Sequence, residues 1–204
     1  LNELDALVNI DLEKREIKEE HTSLQIVRIG TCGSLQEDVP ADEVVVSTHA
    51  FGLDGVMNFY DVEYNEEEEN LKQEILKQCN WPKSFNQPYL VEGNKEFVNK
   101  IGENYHRGIT ITANGFYAPQ GRQLRLKAKD PDLNERLRSF SFENNRIVNY
   151  EMETSALYGL SKALGHDACT VCAVVANRYA NSFSKNYKGV IDQLIKEVLS
   201  KLVD

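Results

Sequence analysis

The chain has 204 residues, 41% of them hydrophobic and 27% charged, a balance that suits a single α/β domain with a sizeable core. A formal net charge of -9 with no basic cluster argues against a nucleic-acid partner, because phosphate-backbone binding needs concentrated Lys and Arg. The longest apolar run, near Ala173–Ala176, is far too short for a membrane span, no signal peptide is visible, and the four cysteines fit a reducing cytoplasm.

In chain order, Asn2–Lys18 predicts a charged amphipathic helix. Leu1, Leu4, Leu7 and Val8 repeat at helical spacing with no cap or lead-in, which predicts further sequence upstream. Leu24–Ile29 reads as a strand running into a glycine turn, Gly30–Gly33, and Glu43–Thr48 as a strand. Glu66–Cys79 predicts a surface helix whose four leading Glu form a solvated face favoured by the helix dipole. Then come a short helix at Asn94–Asn104, a strand at Gly108–Ala113, and a helix at Pro131–Phe142 with Pro in its first turn. Arg146–Tyr150 is a short strand. Glu153–Leu164 is an apolar-rich helix with Gly165 at its C-cap position. Ala168–Ala176 is a buried strand, and Ser184–Val203 a long amphipathic helix. The alternation predicts an α/β fold with a largely parallel or mixed sheet. Ligands in such sheets gather at the carboxyl ends of strands, here Gly30–Gly33, Ala113–Arg122, Glu151–Glu153 and Asn177–Arg178.

Cys169 and Cys172 form a C-x-x-C, but on a strand residues three apart face opposite sides, and no second Cys pair or His cluster completes a zinc site. No metal is expected, and none of the four histidines is assigned a role.

Three segments carry chemistry. In Arg28-Ile-Gly-Thr-Cys-Gly33, a guanidinium fork, a hydroxyl and backbone N–H groups suit a phosphate dianion; the simpler reading is a strand-end turn with a salt-bridged Arg. In Asn149-Tyr-Glu-Met-Glu-Thr154, a carboxylate can accept both hydroxyls of a ribose with Met against the sugar; the simpler reading is an acidic helix N-terminus. In Gly115-Phe-Tyr-Ala-Pro-Gln-Gly-Arg122, an aromatic face, an amide and a guanidinium match a uracil edge of two carbonyls flanking one N–H. The simpler reading there is a Pro/Gly surface loop.

Together these segments resemble the uridine phosphorylase branch of the nucleoside phosphorylase family. The likeness rests on Arg-Ile-Gly-Thr-x-Gly at 28–33, Phe-Tyr-x-x-Gln-x-Arg at 116–122, Tyr-Glu-Met-Glu at 150–153 and Asn-Arg at 177–178, in order along the chain. The resemblance implies one nucleoside phosphorylase domain over residues 1–204, with a central mixed sheet flanked by helices. Its implied activity is reversible phosphorolysis of uridine to uracil and ribose 1-phosphate. By resemblance, Arg28, Gly30 and Thr31 hold phosphate, and Thr31, Met152 and Glu153 hold the ribose, with Glu151 as a neighbouring support. Phe116, Gln120, Arg122, Val175, Ala176 and Arg178 bind the base, and Arg28, Glu153, Gln120 and Arg122 carry the catalysis. No cofactor is implied; inorganic phosphate is the co-substrate. The family also implies a cytoplasmic homo-oligomer, dimer or hexamer, with shared sites.

The purine-specific branch carries Ser-Asp where this chain has Asn177–Arg178, which favours a pyrimidine. Asn114-Gly115 stands where bacterial members commonly carry Asp-Thr, so fine base specificity is left open. The family begins with a segment that supplies a Gly-Asp-Pro-x-Arg phosphate loop, a His and a second Arg. The chain has no counterpart, so the expected phosphate site is only part-built here and the chain is expected to come from a longer protein. A hydrolytic nucleosidase and a purine nucleoside phosphorylase are the rival enzymes, and a non-catalytic nucleoside-binding relative the rival of another class.

Overall fold

The computed structural model describes residues 1–203. Helix α1 (Asn2–Asn9) is followed by a two-stranded hairpin, β1 (Ile10–Asp11) and β2 (Glu16–Ile17). The strands β3 (Gln25–Ser34) and β4 (Val44–Gly52) lead to α2 (Glu66–Gln78), β5 (Tyr89–Glu92) and α3 (Lys95–Gly102). Next come β6 (His106–Thr112), α4 (Leu133–Ser139), β7 (Ser141–Phe142) and β8 (Asn145–Glu151). The chain continues through α5 (Thr154–Leu164), β9 (Asp167–Asn177), β10 (Ser182–Phe183) and α6 (Tyr187–Val203).

The main sheet is mixed, as the alternation predicts. β3 runs parallel to β9 and antiparallel to β8; β8, β6 and β4 are mutually parallel neighbours; and β4 also pairs antiparallel with β9. These five strands therefore close a ring of pairings. Cys32, Val39, Val45, Val148, Cys172 and Val174 form one buried cluster drawn mainly from its strands. Their strand neighbours Val46, Ile147 and Val171 pack into other clusters, so the ring is filled on one side and covered by helices on the other. Cys169 and Cys172 fall into different clusters, as their spacing predicts, and both are free and buried. No helix among the described residues is long and apolar enough to cross a membrane.

Four expectations need correction. The helix expected over Asn2–Lys18 stops at Asn9. The Asn9 side chain bonds to both backbone groups of Thr22, and the Asp11 carboxylate accepts from the N–H groups of Glu13 and Lys14. Such local side-chain bonds compete with helix, and Arg15 completes the reversal at φ 59°. The turn expected at Gly30–Gly33 lies inside β3, because pairing with β9 continues through Ser34 with one register shift at Cys32/Gly33. Its backbone is thus engaged by β9 along one edge and, from Gly33, by β8 along the other. The Glu run is not wholly solvated: Glu68 is buried, closes a capping box with Asn65, and accepts from Lys162 at 2.5 Å and from the Glu92 N–H at 2.9 Å. Strand β5, four residues on the edge beside β4, was not expected.

Burial pushes the His49 imidazole down to about 4, so its 3.7 Å approach to Glu92 is no ion pair at neutral pH. The folded pKa lies below the ordinary 6.5. Stability contributed by neutral His49 is therefore complete above pH 6.5 and drains away as pH falls towards 4, by at most about 3 kcal/mol. Urea unfolding midpoints at pH 6.5 and pH 4.5 test this. His49→Gln is expected to remove much of the drop, and an equal drop in both proteins contradicts it.

Candidate active site

The predicted residues gather in two groups, Arg28 of β3 with the end of β8, and Gln120 with residues at the ends of β8 and β9. The first surrounds Arg28. Its guanidinium pairs with Glu151 at 3.3 Å and with Glu153, and approaches Cys172 Sγ at 3.3 Å. Arg28 is thus salt-bridged: burial pulls its pKa down, and Cys172 together with the Glu151 and Glu153 carboxylates more than offsets that, so it lies above the ordinary value. Glu151 is buried and structural in its contacts. It accepts from Thr112 Oγ1 at 2.6 Å and from the backbone N–H groups of Glu153 and Thr154 at 2.9 Å, so it caps α5. Glu153, the N-cap residue itself, makes no capping bond with its side chain, which is 59% exposed and reaches Arg28. Met152 and Thr31 are exposed beside them in sequence.

The second group surrounds Gln120, which is 3% exposed. Its side-chain oxygen accepts from Arg122 Nη1 at 2.8 Å and from Arg178 Nη2. Its carbonyl oxygen accepts from Arg178 Nη1 at 2.6 Å. The Arg122 guanidinium lies 3.9 Å from the Phe116 ring centroid, and that of Arg178 lies 4.8 Å from the Tyr150 ring centroid. Burial and the nearby Arg122 charge pull Arg178 down to about 10, so it stays charged at neutral pH. Val175 and Ala176 stand at the end of β9, where the Val175 carbonyl accepts from the Ser184 N–H and Ala176 pairs with Phe183 of β10. The two groups meet on consecutive residues, since Tyr150 carries Arg178 and Glu151 carries Arg28.

Sequence reasoning missed the role of the two glycines. A Cβ on Gly30 would stand 2.5 Å from Arg28 Nη1, and one on Gly33 would stand 2.9 Å from Arg178 Nε. The glycines make room for the two guanidiniums. Gly30→Ala is therefore expected to displace the flexible end of Arg28, lowering activity at least tenfold while the melting temperature shifts by no more than about 3 °C. Unchanged activity in that variant contradicts the account. Also missed were Thr112 and the group beneath it: Ser155 N donates to Thr112 Oγ1 at 2.9 Å, and Ser155 Oγ and Tyr89 Oη donate to Asp54 at 2.5 and 2.8 Å. The alternating Thr of β6 was the only signal for them.

This fold and site define a nucleoside-phosphorylase-like architecture, and the chain belongs to the phosphorylase superfamily, whose family model matches residues 7–202. Uridine phosphorylase of Thermococcus kodakarensis is 30% identical over 166 residues, 78% of this chain and 50% of that protein. A DeoD-type purine nucleoside phosphorylase of Colwellia psychrerythraea is 24% identical over 169 residues, 81% of this chain and 58% of that protein. The structure of a Trypanosoma brucei nucleoside phosphorylase, described as showing uridine phosphorylase activity, matches with a TM-score of 0.86 at 27% identity. That match covers 99% of this chain and 74% of that one. The chain spans about half the length of the curated relatives it matches.

Proposed function

We propose that the protein carrying this chain catalyses reversible phosphorolysis of uridine to uracil and ribose 1-phosphate, with inorganic phosphate as co-substrate and no cofactor. One observation carries the reading: the end of β8 joins the Arg28–Glu153 pair to the Gln120–Arg122–Arg178 group across Tyr150 and Glu151. Arg28 with Gly30 and Thr31 holds phosphate, and Glu153 with Met152 holds the ribose hydroxyls. In that role Arg28 and Glu153 orient one another. Phosphate then lies against the sugar face where positive charge grows as the C1′–N1 bond stretches.

Arg122 covers one face of Phe116. A pyrimidine stacked on that face takes the place of the guanidinium, which moves from the ring face to the ring edge. The same move frees one lone pair of the Gln120 side-chain oxygen for the base N–H, while Arg122 and the Gln120 amide N–H each donate to a carbonyl. Val175 and Ala176 complete the pocket wall, with Arg178 behind the base. Negative charge on departing uracil is met by Arg122 and Gln120, an interaction that strengthens as the bond breaks. The Colwellia purine enzyme is one contrast. Asn177 and Arg178, with Gln120 and Arg122, favour a pyrimidine over a purine. The reading extends to a cytoplasmic homo-oligomer, dimer or hexamer, with shared sites; that extension rests on family resemblance.

The test is uracil release from uridine by the intact protein with and without phosphate. Phosphate-dependent release is expected; equal rates would make it a hydrolase. Inosine turned over faster than uridine would move it to the purine branch, and uracil bound without turnover would make it a binding protein.

A further inference from the structure

The geometry points to Asn134 as a positioning residue that ties the base-reading loop to the strand bearing Tyr150 and Glu151, an inference that rests on the reading of Phe116–Arg122 as the base site. Asn134 lies on α4, outside every segment to which the sequence assigned chemistry. Its amide spans two elements. Nδ2 donates to the Gln120 carbonyl oxygen at 2.9 Å, and Oδ1 accepts from Tyr150 Oη at 2.7 Å. Arg178 closes the circuit from the other side, donating to that same carbonyl at 2.6 Å while its guanidinium lies over the Tyr150 ring. Asn134, Gln120, Arg178 and Tyr150 thus form a closed ring of directional contacts.

The loop needs such an anchor. Its own backbone bonds are local: the N–H groups of Gln120 and Arg122 reach Tyr117, and that of Gly121 reaches Ala118. None of these sets the distance from Gln120 to the residues after Tyr150. Gly121 adopts φ +74°, and a Cβ there would collide with the Asn134 amide, so the loop closes directly onto this side chain. An amide donates at one end and accepts at the other. Asp keeps the acceptor for Tyr150 but offers the Gln120 carbonyl no donor. A base reader displaced by about 1 Å from its working place can cost up to about a hundredfold in rate. The cost falls on the base, because Asn134 makes no contact in the Arg28 group.

The experiment compares the intact protein with its Asn134→Asp variant in phosphorolysis. KM for uridine is expected to rise about tenfold, with kcat falling by about threefold, KM for phosphate unchanged and melting within about 3 °C of the parent. A merely structural role would not single out one substrate. If the parent releases uracil from uridine and Asn134→Asp keeps its uridine KM within about twofold, the inference fails and the base-site reading stands. If the parent releases none, both fail. Should Asn134→Asp not fold, Tyr150→Phe, which frees the far end of the amide, is expected to raise the uridine KM about threefold. An unchanged KM there overturns the inference equally.

Discussion

Replacing Arg28 by Ala is expected to lower kcat/KM for phosphorolysis by about a thousandfold, the largest single effect at the site. A lost donor to developing charge costs about 10²–10³, and here the same guanidinium also orients Glu153. The variant also leaves Glu151 without its cation. That residue keeps three hydrogen bonds, from Thr112 Oγ1 and two backbone N–H groups, so the fold is expected to lose only about 1–3 kcal/mol. Arg28→Lys separates charge from geometry. Lysine supplies a point charge but no planar fork to serve phosphate, Glu151 and Glu153 together, and a loss of about a hundredfold is expected, weighted towards the phosphate KM. Steady-state kinetics varying phosphate and uridine separately read this out. An Arg28→Ala enzyme within about threefold of the parent would remove Arg28 from the reaction.

The parts of this site legible in the sequence were those whose chemistry is contiguous. Phe116, Gln120 and Arg122 fall within one short loop, and Glu151–Glu153 follow directly from a strand, so each set could be singled out as a unit, and the structure brings Gln120 to Arg122 and Glu153 to Arg28. The sheet was legible where apolar runs were long, as in β9, expected at Ala168–Ala176 and found at Asp167–Asn177. What escaped were features set by partners distant in the chain. Gly33 reads locally as a turn residue; its place in β3 depends on β9, and its missing side chain makes room for Arg178. Glu68 looks like its solvated neighbours until α5 brings Lys162 to it. The N-terminal segment misled in the other direction. Its apolar repeat is helical, but Asn9 and Asp11 hold backbone groups with their side chains, and periodicity does not register such bonds. Tyr89–Glu92 is too short and too close to Pro88 to stand out, yet as an edge strand it is held by β4.

Gln120 is where structure and chemistry are most tightly bound together, and two substitutions should pull them apart. Gln120→Leu removes the acceptor shared by Arg122 and Arg178. Among the described residues Arg178 Nε has no hydrogen-bond partner, and there the buried guanidinium then keeps only the backbone carbonyl of residue 120. A loss of about 2–3 kcal/mol in stability is expected, with uridine turnover down at least a hundredfold. Gln120→Glu does the opposite to the fold. A carboxylate accepts from both arginines with charge-assisted bonds, so stability should match or exceed the parent. It has no N–H to offer the base, and its charge opposes negative charge on departing uracil, so kcat is expected to fall by at least about a hundredfold all the same. Chemical denaturation and turnover measured on both variants decide it. Gln120→Glu that is both stable and active would show that the amide only braces the two arginines, leaving base recognition to Arg122 alone.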